Sequence, residues 1–378
     1  MKIIFLCGSI EPGRDGVGDY IRRLASELIR QGNGVGIISL NDRYAEKLNV
    51  GTEVSDSIVI PFLRNPSLKS SKPDIIKIKK WIDKFSPDLI SLQFVPFSFS
   101  KYGLPFFLNR YLSSIAKGKI KHVMFHEIWV GLAYESSLKL KILGSIQRLI
   151  IKNLMQKLKP DFIDTNTTLY RKQLFSLGYA SKYLPLFSNI PNLANDNKIV
   201  KEKKDTLVGR EVSLILFGTL HPGAPVERFT KEIALFSKER EYKIILKILG
   251  RAGKEQFRWE AIWQAAGLEV ENFGERSFSE VSLILGSSTI GITTNPIALI
   301  EKSGSVAAML DHQLPVLSLA GAWRSRKKIC LDVYSHILPY SIHNLEQCLK
   351  TKMSKPSACS VSDVANKFLE GIGKQKKS

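Results

Sequence analysis

Residues 2–40, KIIFLCGSIEPGRDGVGDYIRRLASELIRQGNGVGIISL, decide the fold. Ile3 to Cys7 is a short uninterrupted apolar run and residues 8–19 are rich in turn formers. Tyr20, Ile21, Leu24, Ala25, Leu28 and Ile29 then recur at helical spacing as far as Gly32. Val35–Leu40 is a second apolar run. Strand, glycine loop, helix and strand make a βαβ unit, and a crossover of that kind joins parallel strands.

The same alternation extends outward from this unit. The spacing predicts a helix over Ile75–Phe85, a strand over Asp88–Phe94, a helix over Leu104–Ile115, a strand over His122–Phe125, a long helix ending at Lys159, and a strand over Asp161–Thr165. From Ser188 to Arg210 apolar periodicity is lost, and Asn, Pro and charge accumulate as in an exposed linker. Beyond it the pattern restarts with Val212–Phe217 as strand, Val226–Lys238 as helix and Tyr242–Leu249 as strand. The expected organisation is an α/β domain over 1–190, a linker over 191–210, a second α/β domain over 211–350, and a terminal helix (Val361–Leu369) with a basic tail over 351–378.

Composition bounds the function classes. The chain has 378 residues, 44% of them apolar and 24% charged, which excludes a disordered chain and fits two domains with their own cores. Its 55 Lys and Arg against 35 Asp and Glu give a net charge of +20, suited to nucleic acid, an acidic membrane surface or a phosphorylated substrate. Nucleic acid is the least supported of the three, because no stacking platform or DNA-binding motif accompanies the charge. Cys7, Cys330, Cys348 and Cys359 have neither the spacing of a zinc site nor that of a disulfide framework. The opening apolar run is too short for a secretion signal, and the uncharged stretch Val281–Ile300 lacks the apolar density of a membrane span. A cytoplasmic protein, able to sit at the inner face of the membrane, is the expectation.

Two loops attract attention on chemical grounds. Gly8–Asp19 lies where backbone N–H groups and the dipole of the next helix face an incoming anion, with Gly16 and Gly18 permitting close approach. Its spacing matches neither GxGxxG nor the Walker pattern, so on residues alone it is open between an anion cradle and a chain-reversing turn. His126 and Glu127 follow the strand His122–Phe125 at its carboxyl end, where open α/β sheets bind ligands. An imidazole there can exchange hydrogen bonds with a substrate hydroxyl. Residue chemistry alone favours His126 as a cap for the long helix, and leaves Glu127 readable as a helix-start carboxylate.

GVGDYIRRLASELIRQGNGV (16–35), SLQFVPFSFSKYGLP (91–105), FHEIWVG (125–131), LPLFSNIP (184–191) and TNPIALIEKSGSVAAMLDHQLPV (294–316) follow one another in an order that resembles glycosyltransferase family 4, whose members have the GT-B fold. The resemblance implies two doubly wound Rossmann-like domains facing a central cleft, with an acceptor-side amino-terminal domain and a nucleotide-sugar-side carboxyl-terminal one. It also implies a retaining transfer from a nucleotide-sugar to a glycan or lipid-linked glycan acceptor in polysaccharide biosynthesis, with no metal or other cofactor. His126 matches the histidine that contacts the donor sugar, with Glu127 beside it as a second catalytic candidate. Gly16, Gly18 and Asp19, and in the second domain Gly218, Thr219, Arg251, Lys302, Ser303 and Gly304, are the implied donor-binding positions. Arg228 is a further cation, read as surface charge.

Two departures from the family pattern are visible. The usual Arg of the diphosphate clamp is replaced by Thr219, and no Lys follows until Lys231. Counting back from Pro315-Val316, the paired Glu positions of the Glu-x7-Glu motif fall on Ile300 and Ala308. Lys302 and the small residues after it are the expected substitutes for the clamp, and a homologue that holds its ligand without turnover is the alternative reading.

The charge is uneven. Residues 101–160 hold eleven Lys and Arg and two Glu, so nine of the twenty net charges lie in sixty residues. In the long helix there, Ile142, Leu143, Ile146, Leu149, Ile150, Leu154 and Leu158 are expected on one core-facing side, with Lys141, Arg148, Lys152 and Lys159 on the opposite one. Either this is a solvated basic back, or it docks the domain on an anionic membrane.

Overall fold

The computed structural model describes residues 1–67, 72–193, 211–326, 336–350 and 359–373. The chain divides into two units, Met1–Pro185 with Ser360–Ser378, and Leu186–Cys359.

The first unit runs β1 (Lys2–Cys7), α1 (Gly16–Arg30), β2 (Gly34–Ser39), β3 (Asn49–Ser55), β4 (Ile58–Arg64), α2 (Lys72–Phe85), β5 (Leu89–Phe94), α3 (Pro96–Phe99), α4 (Leu108–Ile115), β6 (Ile120–Phe125), α5 (Leu138–Leu158), β7 (Phe162–Thr165), α6 (Thr168–Phe175) and β8 (Lys182–Tyr183). Its sheet has the order β3-β4-β2-β1-β5-β6-β7-β8 and is parallel except for the edge pair β3–β4. Phe5 lies opposite both Ile37 and Ser91. The central strands read as continuous apolar runs because helices cover both faces of a parallel sheet.

The edge hairpin was not among the expected elements. Its turn residues Asp56 and Ser57 both take positive φ, 48° and 64°. Such turns normally carry Asn or Gly, so this pair gives no sequence signal.

Helix α5 corrects the expected orientation of its apolar residues. Gly144, Gln147, Ile150, Ile151, Leu154, Met155 and Leu158 face inward, whereas Ile142, Ile146 and Leu149 are exposed. The cause is local: a Cβ on Gly144 would strike the Val130 carbonyl. Gln147 Oε1 accepts from the Val130 N–H at 2.9 Å, and its Nε2 donates to the Gly103 carbonyl at 3.1 Å. Two loops therefore hold the glycine and glutamine side against the unit and turn the aliphatic side outward.

The second unit runs β9 (Glu211–Phe217), α7 (Val226–Arg240), β10 (Lys243–Leu249), α8 (Glu255–Ala265), β11 (Glu269–Gly274), α9 (Phe278–Gly286), β12 (Ile290–Thr293), a 3₁₀ turn (Ile297–Lys302), α10 (Gly304–Asp311), β13 (Val316–Ser318), β14 (Ile337–Pro339) and α11 (Ile342–Lys350). Its parallel sheet has the order β11-β10-β9-β12-β13-β14. Phe229, Trp259 and Trp263 pack on one face, and Ile215, Leu249, Val306 and Met309 on the other. Most of the expected linker, residues 194–210, and the tail 374–378 lie outside the described residues.

The last helix, α12 (Val361–Gly373), belongs to the first unit. Phe368 is fully buried there, its ring 5.9 Å from Phe5 and 5.2 Å from His122. At the two ends of the second unit, Phe187 and Cys359 form an isolated parallel bridge.

Candidate functional site

In the first unit the site begins at the carboxyl end of β1. Gly8 passes so close to α3 that a Cβ would lie 2.5 Å from the Ser98 Cβ, and one on Gly18 would lie 2.7 Å from the Ser9 carbonyl. These glycines let the loop fold flat between β1 and α1. Ser9 is held from below by Asp42, which is fully buried and accepts from the Ser9 hydroxyl at 2.9 Å and the Ile10 N–H at 3.2 Å. The Arg64 guanidinium binds both Asp42 oxygens, at 2.9 and 3.1 Å, and reaches Glu11 at 2.7 Å. Burial alone would raise the Asp42 carboxyl; the Arg64, Ser9 and Ile10 donors hold it below the usual range.

The amino end of α1 is capped internally. Asp15 accepts from the N–H groups of Val17 at 2.9 Å and Gly18 at 3.1 Å, and burial raises its carboxyl above the usual range despite those bonds. Asp19 accepts from the Gly13 N–H at 3.0 Å and from Arg22 at 2.8 Å. Gly16 and Gly18, expected in the loop, therefore lie in the first turn of α1, which Asp15 caps.

His126 stands at the carboxyl end of β6, its N–H bonded to the Phe94 carbonyl at 3.1 Å. Its ring meets that of Tyr20, on α1, edge to face at 5.1 Å, which brings the glycine loop and the histidine into one place. A chain of buried polar groups supports it. His126 Nε2 donates to Gln93 Oε1 at 2.8 Å, Gln93 Nε2 donates to Ser91 Oγ at 2.7 Å, and Ser91 Oγ lies 2.7 Å from His122 Nδ1. The Asp164 oxygen beside His122 Nε2 favours an N–H on that nitrogen, which leaves Nδ1 to accept the Ser91 proton. His122 Nε2 lies 3.3 Å from Asp164 Oδ2, close enough for attraction though not aligned as a hydrogen bond.

Burial, and secondarily the neighbouring His122, push His126 down to about 3. It is a neutral imidazole at physiological pH. With Nε2 committed to Gln93, Nδ1 has no partner among the described residues and is not sealed from solvent. The ring therefore offers an acceptor. Glu127 is half-buried beside it, its N–H also directed to the Phe94 carbonyl, at 3.3 Å. Sequence reasoning missed Ser91, Gln93, His122 and Asp164. Their signal was polar residues inside apolar strand runs, which burial requires to be paired.

In the second unit three neighbouring strands end in left-handed glycines, Gly218, Gly250 and Gly274. The Gly218 N–H donates to the Leu249 carbonyl at 3.0 Å and the Gly250 N–H to the Gly274 carbonyl at 2.7 Å. A Cβ on Gly218 would lie 3.5 Å from that of Ser305, so the β9 loop and the start of α10 are in contact. Ser303 caps α10 by accepting from the Val306 N–H at 3.4 Å, and Asn295 Nδ2 donates to Ser303 Oγ at 3.2 Å. Lys302, half-buried, ends the 3₁₀ turn just before this cap, and Gly304 is the first residue of α10. Gly218, Thr219, Ser303 and Gly304 are thus gathered beyond the carboxyl ends of the central strands β9 and β12.

Arg251 follows Gly250 and pairs with Glu275 at 3.1 Å. Arg228 is exposed on α7 and pairs with Glu232 one turn on, at 2.8 Å. Ile300 and Ala308, the positions that the sequence resemblance aligned with the paired Glu, are both buried in the core of the unit. An ionised carboxylate at either position would be placed among the apolar side chains of that core. Among the described residues no group of three or more His, Cys, Asp and Glu is placed to hold a metal ion.

No protein-family description matches the sequence, and no curated protein does. Solved structures match along the whole chain. The catalytic domain of starch synthase IV from Arabidopsis thaliana, bound to ADP and acarbose, superposes with a TM-score of 0.60 at 11% identity, over 100% of both chains. Anabaena HepE, in complex with UDP and glucose, does so with a TM-score of 0.55 at 17% identity, over 100% of this chain and 91% of the other. UDP-GlcNAc 2-epimerase from Methanocaldococcus jannaschii gives 0.54 at 12% identity, over 99% and 100%. With its two parallel-sheet α/β units matched throughout, the chain has the GT-B fold.

Proposed function

We propose that the protein is a glycosyltransferase that moves a sugar from a nucleotide-activated donor to a glycan or lipid-linked glycan acceptor, with retention, in polysaccharide biosynthesis. The observation that carries this reading is His126, a neutral imidazole fixed at the end of β6 with Nδ1 open, in a fold whose solved examples hold UDP or ADP together with sugars. In this role Nδ1 accepts a hydrogen bond from a hydroxyl of the donor sugar and orients it. The ring does not act as a proton donor from a charged state, because its conjugate acid is absent at neutral pH. Glu127 is the polar group beside it.

The glycine loop at Gly16–Asp19 approaches the acceptor and the transferring sugar. The diphosphate is received in the second unit, where the N–H groups at Gly304 and the start of α10, the β9 loop at Gly218 and Thr219, the Ser303 hydroxyl, and the Lys302 and Arg251 cations meet its charge. Preorganised cations and backbone dipoles stabilise the departing nucleotide, and no metal takes part in this reading. We place the protein in the cytoplasm; among the described residues no helix is long and apolar enough to cross a membrane.

Thermal unfolding in the presence of UDP, ADP, GDP and their sugar conjugates tests the proposal. A ligand at about 100 times its dissociation constant raises stability by about 2.7 kcal/mol. The response is expected with at least one nucleotide, unchanged by EDTA and lost in Lys302→Ala, while His126→Ala keeps nucleotide binding and loses transfer. No response to any nucleotide would sink it. Binding without turnover in the parent protein would favour the alternative of a non-catalytic holder, for which the loss of both Glu positions to the core is the specific observation.

A further inference from the structure

Helix α5 has two apolar faces. The inner one packs on the first unit, and the outer one is formed by Leu138, Ile142, Ile146 and Leu149, with Leu138 72%, Ile142 55% and Leu149 66% exposed. Spacings of four, four and three residues set these four side chains in one stripe along the helix, on the side away from Gly144, Gln147, Ile151 and Leu154. Lys141, Arg148 and Lys152 line one margin of the stripe, and Lys139 and Lys157 line the other. The helix contains no Asp or Glu along its 21 residues. Tyr134, itself exposed, has the Lys141 ammonium 6.0 Å from its ring centre, and α4, whose amino end carries exposed Phe106 and Phe107, packs alongside α5.

A solvated surface helix has no use for this pattern, since a stripe of aliphatic side chains in water is unfavourable at roughly 25 cal/mol for each Å² left uncovered. A protein partner that covered the aliphatic stripe would have to supply acids along both margins. A bilayer containing anionic lipid meets both demands at once, with acyl chains taking the aliphatic stripe and headgroup phosphates meeting cations on either side. Lys and Arg also suit this position because their aliphatic stems lie along the apolar zone while their charges reach the headgroups.

We infer that the outer face of α5 is the surface by which this protein lies on an anionic membrane, with Leu138, Ile142, Ile146 and Leu149 entering the interface and Lys139, Lys141, Arg148, Lys152 and Lys157 binding lipid phosphate. The inference is independent of the transfer reading, because it is read without nucleotide or acceptor.

The test is co-sedimentation of the full chain with phosphatidylcholine vesicles, with and without phosphatidylglycerol. Pelleting is expected with the anionic vesicles at low salt, and much less with phosphatidylcholine alone or at high salt. Ile142→Glu with Leu149→Glu should abolish it, while Leu235→Glu, an equally exposed position on α7, should leave it unchanged. Neutralising Lys141, Arg148 and Lys152 to Gln should weaken binding on the order of 100-fold. All variants replace solvent-facing side chains, and an unchanged thermal melt verifies their folding. No pelleting with anionic vesicles at low salt overturns the inference, as does equal pelleting of the Ile142→Glu/Leu149→Glu protein. A dimer that the same pair of substitutions dissociates, in a protein that ignores vesicles, would assign the stripe to a second copy instead.

Discussion

Gln93 Oε1 accepts the Nε2 proton of His126 at 2.8 Å, and that single bond decides which nitrogen of the imidazole faces outward. Gln93 keeps its amide in this sense because its Nε2 donates to Ser91 Oγ, whose own proton goes to His122 Nδ1. Substitution of Gln93 by Leu should leave a buried donor on His126 unpaired and cost about 1–3 kcal/mol in urea unfolding. Gln93→Glu keeps the acceptor but adds a negative charge, and should raise the histidine toward its ordinary value. Nitrogen-15 NMR of the imidazole reads both the tautomer and its titration; an Nδ1-protonated ring in the parent protein would contradict this account.

His126 also makes stability depend on pH. Between about pH 6.5, where a histidine in the unfolded chain titrates, and about pH 3, where this one does, the unfolded state binds a proton that the folded state does not. Stability should therefore fall as pH falls through that window, by about 2 kcal/mol between pH 6.5 and pH 5 from this group. Urea unfolding of the parent protein and His126→Gln at both pH values isolates the contribution, since the variant should lose that part of the slope.

The pair Asp42 and Arg64 is a structural lock for the loop after β1. Asp42→Asn should cost about 3–5 kcal/mol by leaving a partly buried guanidinium poorly matched, and Asp42→Asn with Arg64→Met should recover a large part of that loss. Because the Asp42 carboxyl lies below the usual range, its stabilisation is present above the unfolded-state value near 3.8 and disappears as pH falls through the folded-state one. Thermal melts of the single and double variants decide the matter: additive losses would contradict the lock.

Phe368 ties α12 to β1 and β6 through its contacts with Phe5 and His122. Phe368→Ala should destabilise the first unit by about 3–5 kcal/mol. In a denaturation followed by fluorescence, Trp81 and Trp129, in the first unit, should lose their native signal before Trp259 and Trp263, in the second. Simultaneous loss would mean that the helix stabilises both units alike.

Much of the architecture is legible in residue order, because local spacing encodes strands and helices one at a time. The βαβ opening, the parallel alternation and the restart after residue 210 all rest on short-range periodicity. What escaped is non-local. Ser91, Gln93, His122 and Asp164 come from three strands and read singly as polar interruptions of apolar runs; only strand order makes them neighbours. The β3–β4 hairpin was hidden by a turn built on Asp56 and Ser57 without glycine. Helix α5 has apolar residues on two sides, so periodicity alone put Ile142, Ile146 and Leu149 on the core side with Ile150, Leu154 and Leu158, and the decision came from Gly144 and Gln147 meeting the upstream loops at Val130 and Gly103.

The return of α12 to the first unit has a consequence for biosynthesis. Translation delivers β1 before the second unit and Phe368 after it, so on the ribosome the first unit waits, with the apolar ground around Phe5 and Phe162 uncovered, while the whole second unit is made. The second unit, continuous in sequence, needs nothing that comes later and can complete before its predecessor. A stop codon shortly before residue 360 should therefore spare the second unit while leaving the first unfinished.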